Sequence, residues 1–302
     1  YSFVEAIVWP HGPTCPHCGN ADAARIYAIT GPKARIGLRT CADCRKQFTV
    51  KVGTIFESSH VPMHKWLQAM HLLCSSKKGI SSHQLHRLLE VQYKTAWFMS
   101  HRIREAMRSG SLALPMGGDG SSGIVEADET FIGRKKGMTK KRAYHHKNAV
   151  LSLVERDGDV RSFHVDKADS ATIMPIVREN IAKEAKVMTD EAKYYSKIGD
   201  EFAEHGAVNH GAGEYVRGEA HTNTLEGFFS IFKRGMKGVY QHCDERHLHR
   251  YVGEFDFRYN NRSARGVEDD ARMNKAVRGA RGKRLKYRHA TEVNGANDGD
   301  LS

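Results

Sequence analysis

The apolar positions change their period several times along the chain. Short apolar runs flank the first forty residues, Arg25-Ile-Tyr-Ala-Ile, Ile36-Gly-Leu-Arg-Thr and Phe48-Thr-Val-Lys-Val, and read as brief strands. From Met63 the period becomes helical, with apolar residues at 63, 66, 67, 70 and 73. Lys77-Lys78-Gly79 interrupts it. Ser81-Ser82 can then cap a second helix carrying Leu85, Leu88 and Leu89 on one face. Lys94 to Met107 reads as a third, with Ala96, Met99, Ile103 and Met107 inward. A linker composition fills 109–123.

Beyond the linker the period turns to two. Gly123-Ile-Val-Glu-Ala-Asp-Glu-Thr-Phe-Ile alternates, so Glu126, Asp128 and Thr130 share one face. Val150 to Glu155, the turn Asp157-Gly158-Asp159 and Val160 to Val165 predict a hairpin. Thr172 to Ile181 is helical, Lys186 to Thr189 is a short strand ending at Asp190, and Asn223 to Arg234 is an amphipathic helix with Leu225, Phe228, Phe229 and Phe232 apolar. Three antiparallel strands, a helix, a fourth strand and later helices are the order of a ribonuclease-H-like α/β fold. The expected organisation is a zinc ribbon (1–58), a helix-turn-helix module (59–112), an α/β domain (113–268) and a basic flexible tail (269–302).

Charge changes this picture by pointing to a partner. The 302 residues carry a formal charge of +12. Residues 1–112 hold 15 basic and 6 acidic side chains, 113–270 hold 24 and 26, and 271–290 hold 8 basic and none acidic. A slightly acidic centre between basic flanks suits a protein that grips a polyanion at its ends and does carboxylate chemistry in between. No apolar run approaches the roughly 18 residues of a membrane span. The start lacks a basic stretch followed by an apolar one, so a cytoplasmic, nucleoid-associated protein is expected.

Four of the six cysteines form Cys15-Pro-His-Cys18 and Cys41-Ala-Asp-Cys44, two knuckles separated by 22 residues. Two such bends facing one point complete a tetrahedral thiolate site for one structural Zn²⁺, which supplies folding free energy that a small segment lacks. Cys74 and Cys243 read as ordinary buried thiols. Lys94, His101, Arg102, Arg104 and Arg108, taken to face outward from the third helix, are candidates to meet DNA phosphates or base edges. Among the acids, Asp128 lies in the sheet centre and Asp190 ends the neighbouring strand, while Glu226 on the following helix can lean over both. Such acids converge only around divalent cations, here two Mg²⁺ or Mn²⁺. The intervals are 61 residues between 128 and 190 and 35 between 190 and 226.

These stretches resemble a known family. Val125-Glu-Ala-Asp-Glu-Thr-Phe-Ile-Gly, Thr189-Asp190 and His221-Thr-Asn-Thr-Leu-Glu-Gly-Phe-Phe-Ser-Ile-Phe-Lys-Arg-Gly are similar to the DDE transposases of bacterial insertion sequences. More narrowly they resemble the branch with an N-terminal zinc ribbon, the group numbered fifteen-ninety-five. Thr95 to Met107 and His247 to Arg262 carry the likeness further. The resemblance implies Asp128, Asp190 and Glu226 as the metal-holding acids and Lys233, seven residues after Glu226, as their basic partner. Members of that branch can carry Asn as the third group, which keeps Asn223 beside Glu226; the anionic ligand and the 35-residue interval favour Glu226. It further implies binding of double-stranded DNA, both element ends and target, by a homo-oligomer, with cleavage and joining of 3′-OH ends. Lys233, Arg234 and the loop containing Arg134, Lys135 and Lys136 would position phosphates. His221 would sit near the metals or in a capping or core role, and Tyr194, Tyr195 and the phenylalanines of the last helix read as packing. Two other readings share parts of this pattern: a ribonuclease-H-like nuclease or resolvase that only hydrolyses, and a catalytically silent DNA-binding regulator.

Overall fold

A computed structural model describes residues 1–108, 114–118, 121–140, 144–195, 198–208, 211, 213–214 and 216–285. In the front segment, β1 (Ile26–Ala28), β2 (Arg39–Cys41) and β3 (Gln47–Phe48) form a three-stranded antiparallel sheet. The strands are shorter than their apolar runs, because the core they share is four residues wide: Cys15, Ile26, Cys41 and Phe48. Ahead of them stands a helix that the sequence pattern does not predict, α1 (Ser2–Val8). Its Val4 and Val8 leave the ribbon and enter the helical core behind it, as do Val50, Ile55 and Phe56.

The three helices follow as expected: α2 (Met63–Ser75), α3 (Ser82–Leu89) and α4 (Tyr93–Met107). The Ser81 hydroxyl accepts from Gln84 N at the start of α3, and Glu90 in the left-handed region ends that helix before the short turn into α4. Leu85 and Leu89 are buried, whereas Leu88 is exposed.

The larger sheet runs β6-β5-β4-β7-β8, with β4 (Ile124–Ile132) at its centre. β4, β5 (Asn148–Glu155) and β6 (Val160–Val165) are mutually antiparallel; β7 (Lys186–Thr189) and β8 (Glu204–Ala207) run parallel to β4. Both faces are covered. Val125, Ala127, Leu151 and Leu153 pack under α5 (Ser170–Asn180). On the other face Val150, Val154 and Val160 meet Leu225, Phe228, Phe229 and Phe232 of α6 (Asn223–Gly235) and Tyr251, Val252 and Phe255 of α7 (Leu248–Asn260). The chain is therefore a mixed α/β molecule with a ribbon and a helical module in front.

The tail differs from expectation. Asp269–Arg278 is a helix, α8, and Ala276, Val277 and Ala280 complete the core of α2 and α4. Arg272 is buried and donates to the carbonyls of Asn261 (2.6 Å) and Cys74 (3.0 Å). A run of charges hid three small apolar residues at helical spacing. Residues 286–302, the rest of the proposed arm, lie outside the described residues.

Candidate active site and metal centre

The acidic site is built on strand register. β4 pairs with β7 in parallel with Ile124 opposite Lys186 and Glu126 opposite Met188, an offset of 62 residues. Continuing that offset by two residues brings Asp190 opposite Asp128. The interval noted in the sequence is thus the register of the central strand pair. Both aspartates line one cavity of about 710 Å³ together with Glu129, Lys147, Lys233, Lys237, Tyr144 and Tyr194. Lys233 projects from the α6 surface, as expected. Glu226 and Asn223 are exposed on the first turns of α6 and do not line this cavity.

Electrostatics separates Asp128 from an ordinary carboxylate. Burial, then the negative charges of Glu129 and Asp190, push its carboxyl up to about 8, with the Glu129 N–H and Lys233 opposing. Glu129 is pushed up to about 7, again first by burial. Both its oxygens accept hydroxyls, from Tyr194 and Tyr195. Those tyrosines, read from the sequence as packing, therefore tie the segment after Asp190 to β4. Burial lowers the Lys233 ammonium, and Asp128 pulls it back up.

Glu126, two residues before Asp128 and on the same strand face, has a different fate. It is fully buried and accepts from Thr224 N (3.0 Å), Leu225 N (3.1 Å), Thr224 Oγ1 (2.9 Å) and Arg156 Nε (2.9 Å). A carboxylate on the free N–H groups of a helix's first turn satisfies donors that the helix cannot and complements its dipole. Glu126 thereby sets α6 on the sheet. His221 lies with its Nδ1 3.2 Å from Glu126 Oε1, so it belongs to this brace. The strand alternation flagged Glu126; its partners, about a hundred residues away, were beyond local reading.

The basic candidates divide. Lys94, Arg108, Arg134, Lys136 and Arg234 are exposed, and Lys135 is half-buried. Arg134, Lys135 and Lys136 line a second cavity of about 870 Å³ that shares Ile132, Gly133 and Lys237 with the acidic one. His101, Arg102 and Arg104 do not face outward. All three are buried at 0%, 6% and 1% exposure. Arg104 donates to Glu254 Oε2 of α7 at 2.6 Å and lies 4.0 Å from the Tyr251 ring. Arg102 donates to the carbonyls of Ile55 and Glu57, both at 2.7 Å. His101 packs on Trp97, its ring centroid 4.1 Å away. Helix α4 is enclosed by α7 and α8 as well as by its neighbours, so its polar face became interior.

In the ribbon, the Sγ atoms of Cys15, Cys18, Cys41 and Cys44 all lie within 4.8 Å of one another, with Cys15 to Cys44 and Cys18 to Cys41 at 3.6 Å. Four sulfurs at about 2.3 Å from a tetrahedral Zn²⁺ would be about 3.8 Å apart, so the thiols fit that ion with little movement. Among the described residues they are the group whose ligand atoms already meet this closely. Mixed α/β architecture, a four-thiol ribbon and a lysine-rimmed acidic cavity define the class of molecule. Residues 121–260 match the family model described as the ISXO2-like transposase domain, and residues 1–47 match the transposase zinc-ribbon domain. The chain is a member of this transposase family. A protein of transposable element ISH50 from Halobacterium salinarum is 27% identical over 251 residues, covering 77% of this chain and 81% of that one. A transposase-like protein of Haemophilus influenzae is 26% identical over 97 residues, 32% of this chain and 77% of its own. A structure of the Mos1 mariner paired end complex with Mn aligns at 13% identity over 67% of this chain and 78% of that chain, with a TM-score of 0.21, too slight to argue from. No helix among the described residues is long and apolar enough to cross a membrane.

Proposed function

We propose that this transposase binds the ends of its insertion sequence, cuts the DNA there and joins the freed 3′-OH ends to target DNA by phosphoryl transfer at Asp128 and Asp190. The observation that carries the reading is the β4–β7 register, which sets two acids opposite each other in a cavity rimmed by Lys147, Lys233 and Lys237. The strand order and directions support a ribonuclease-H-like domain, and α2 to α4 with their short α3–α4 turn support a helix-turn-helix module.

The acids fit divalent cations: Asp128 and Glu129 are held protonated by burial and by each other's charge, a conflict that bound cations relieve. Asp128 and Asp190 are the proposed ligands, with Glu226 of α6 as the third acid. Two Mg²⁺ or Mn²⁺ held there would supply an activated attacking oxygen and stabilise the leaving 3′ oxygen. The protein's own groups do the remainder. Lys233 neutralises charge gathering on the phosphoryl oxygens, and its partial desolvation strengthens that effect. Glu129, fixed by two tyrosines, keeps Asp190 beside Asp128. Glu126 keeps α6, and with it Lys233, in register with the sheet. Arg134, Lys135, Lys136, Arg234, Lys94 and Arg108 line the proposed path of the duplex, and the Cys15, Cys18, Cys41, Cys44 site holds one structural Zn²⁺. A homo-oligomer on DNA in the bacterial cytoplasm completes the proposal.

The test is single-turnover reaction with Mg²⁺ on labelled DNA carrying the sequences that flank the gene. Strand-transfer products are expected. Hydrolysis alone would leave the nuclease reading, and no cleavage would leave a DNA-binding regulator.

A further inference from the structure

The acidic cavity contains a feature that phosphoryl transfer does not require. Tyr144 is 61% exposed, high for a large aromatic side chain, and its ring lies nearly parallel on Phe131 at 4.5 Å between centroids and 13° between planes. Phe131 comes from β4, three residues after Asp128, and covers one face of the tyrosine. Lys147 Nζ stands 5.7 Å from the centre of the same ring. All three residues line the cavity with Asp128, Asp190 and Lys233.

We propose that Tyr144, backed by Phe131, is a stacking platform for an unpaired nucleobase next to the phosphate held at Asp128 and Asp190. The inference rests on the phosphoryl-transfer reading above and adds a binding subsite to it. Exposed aromatic surface is costly in water, and here it is held rigid by a parallel partner rather than folded away. A π face takes any base by stacking, whereas a backbone phosphate needs cations, and Lys147, Lys233 and Lys237 stand at the same opening. Together they match one nucleotide: ring on ring, phosphate on ammonium. A base paired inside a duplex cannot present its face, so the platform selects DNA whose helix is opened at the reacting phosphate. Stacking there would offset part of the unpairing cost and hold the cut strand still for the second reaction.

The probe is a thymidine decamer with one central 2-aminopurine, compared with the same strand fully paired, with the full-length protein in Ca²⁺. The unmodified protein should bind the single strand and quench its fluorescence. Tyr144→Ala and Tyr144→Leu should each weaken single-strand binding by about tenfold and abolish quenching. Tyr144→Phe and Tyr144→Trp should retain both, and duplex affinity should change little throughout. The inference is overturned by Tyr144→Ala quenching like the unmodified protein, or by equal loss on the paired strand. Asp128→Asn should leave this binding unaltered. Failure of the catalytic reading would appear separately, as no cleavage by a protein that still stacks through Tyr144.

Discussion

Two basic regions look alike in sequence and differ in the folded molecule: the His101-Arg102-Ile-Arg104 stretch of α4 and the lysines around the acidic cavity. On α4 each cation is matched from within. Arg104 is matched by Glu254, Arg102 by two carbonyls, and His101 is enclosed without a hydrogen bond to either ring nitrogen. At the cavity Lys147, Lys233 and Lys237 face acids across open space. A cation is available to a polyanion only where the fold has not already provided its acceptor. Positive charge counted along the chain therefore overstates the DNA surface in one region and understates it in the other.

The comparison breaks most visibly at Arg104. Arg104→Ala leaves Glu254 with less of its buried pairing and should cost about 3 kcal/mol in urea unfolding, while Lys237→Ala should change stability by less than about 0.5 kcal/mol. An Arg104→Ala protein of unchanged stability but weakened DNA binding would reverse the assignment. Next in size, Lys233→Ala should slow single-turnover cleavage by about a hundredfold with DNA affinity nearly constant, because its charge is needed as the phosphoryl oxygens gain charge. An equal fall in affinity and rate would make it a docking lysine instead.

The smallest effect sharpens the same contrast through pH. Burial first, then Arg104, His247, Arg250 and His249, lower His101 to about 2. Tyr251 and Trp97 pack on its ring and offer it no charge. The unfolded chain takes up this proton near pH 6.5 and the folded one does not, so stability is lost as pH falls below about 6.5. His101→Phe removes that proton uptake and two unpartnered nitrogens. It should raise stability by about 1 kcal/mol at pH 7 and flatten the decline of the melting temperature towards pH 5. A decline as steep as in the unmodified protein would show that His101 is not enclosed as described.

What could be read in the sequence follows from how local each signal is. The Asp157-Gly158 hairpin, the Ser81 cap and the strand ending at Thr189 rest on neighbouring residues, and each was legible. The 61-residue interval between the aspartates was legible too, because parallel register converts sequence distance into contact. Three kinds of feature were not. Helix α1 and strand β8 carry too few apolar residues to show a period. Helix α8 hides Ala276, Val277 and Ala280 among charges. The roles of Arg104, Glu126, Glu129 and Tyr144 depend on neighbours chosen by tertiary packing: Glu254 is 150 residues from Arg104, and Tyr194 is 65 from Glu129. The candidate third acid shows the same limit, since helix period places Glu226 on α6 but not in the cavity.

The account stands on Asp128 as a carboxylate held in conflict until cations enter. Single-turnover cleavage by Asp128→Asn, measured beside its affinity for the same labelled end, tests this directly. The expected result is a rate lower by about a thousandfold or more at unchanged DNA affinity, because a neutral amide holds Mg²⁺ poorly. Cleavage by Asp128→Asn at the rate of the unmodified protein would contradict it.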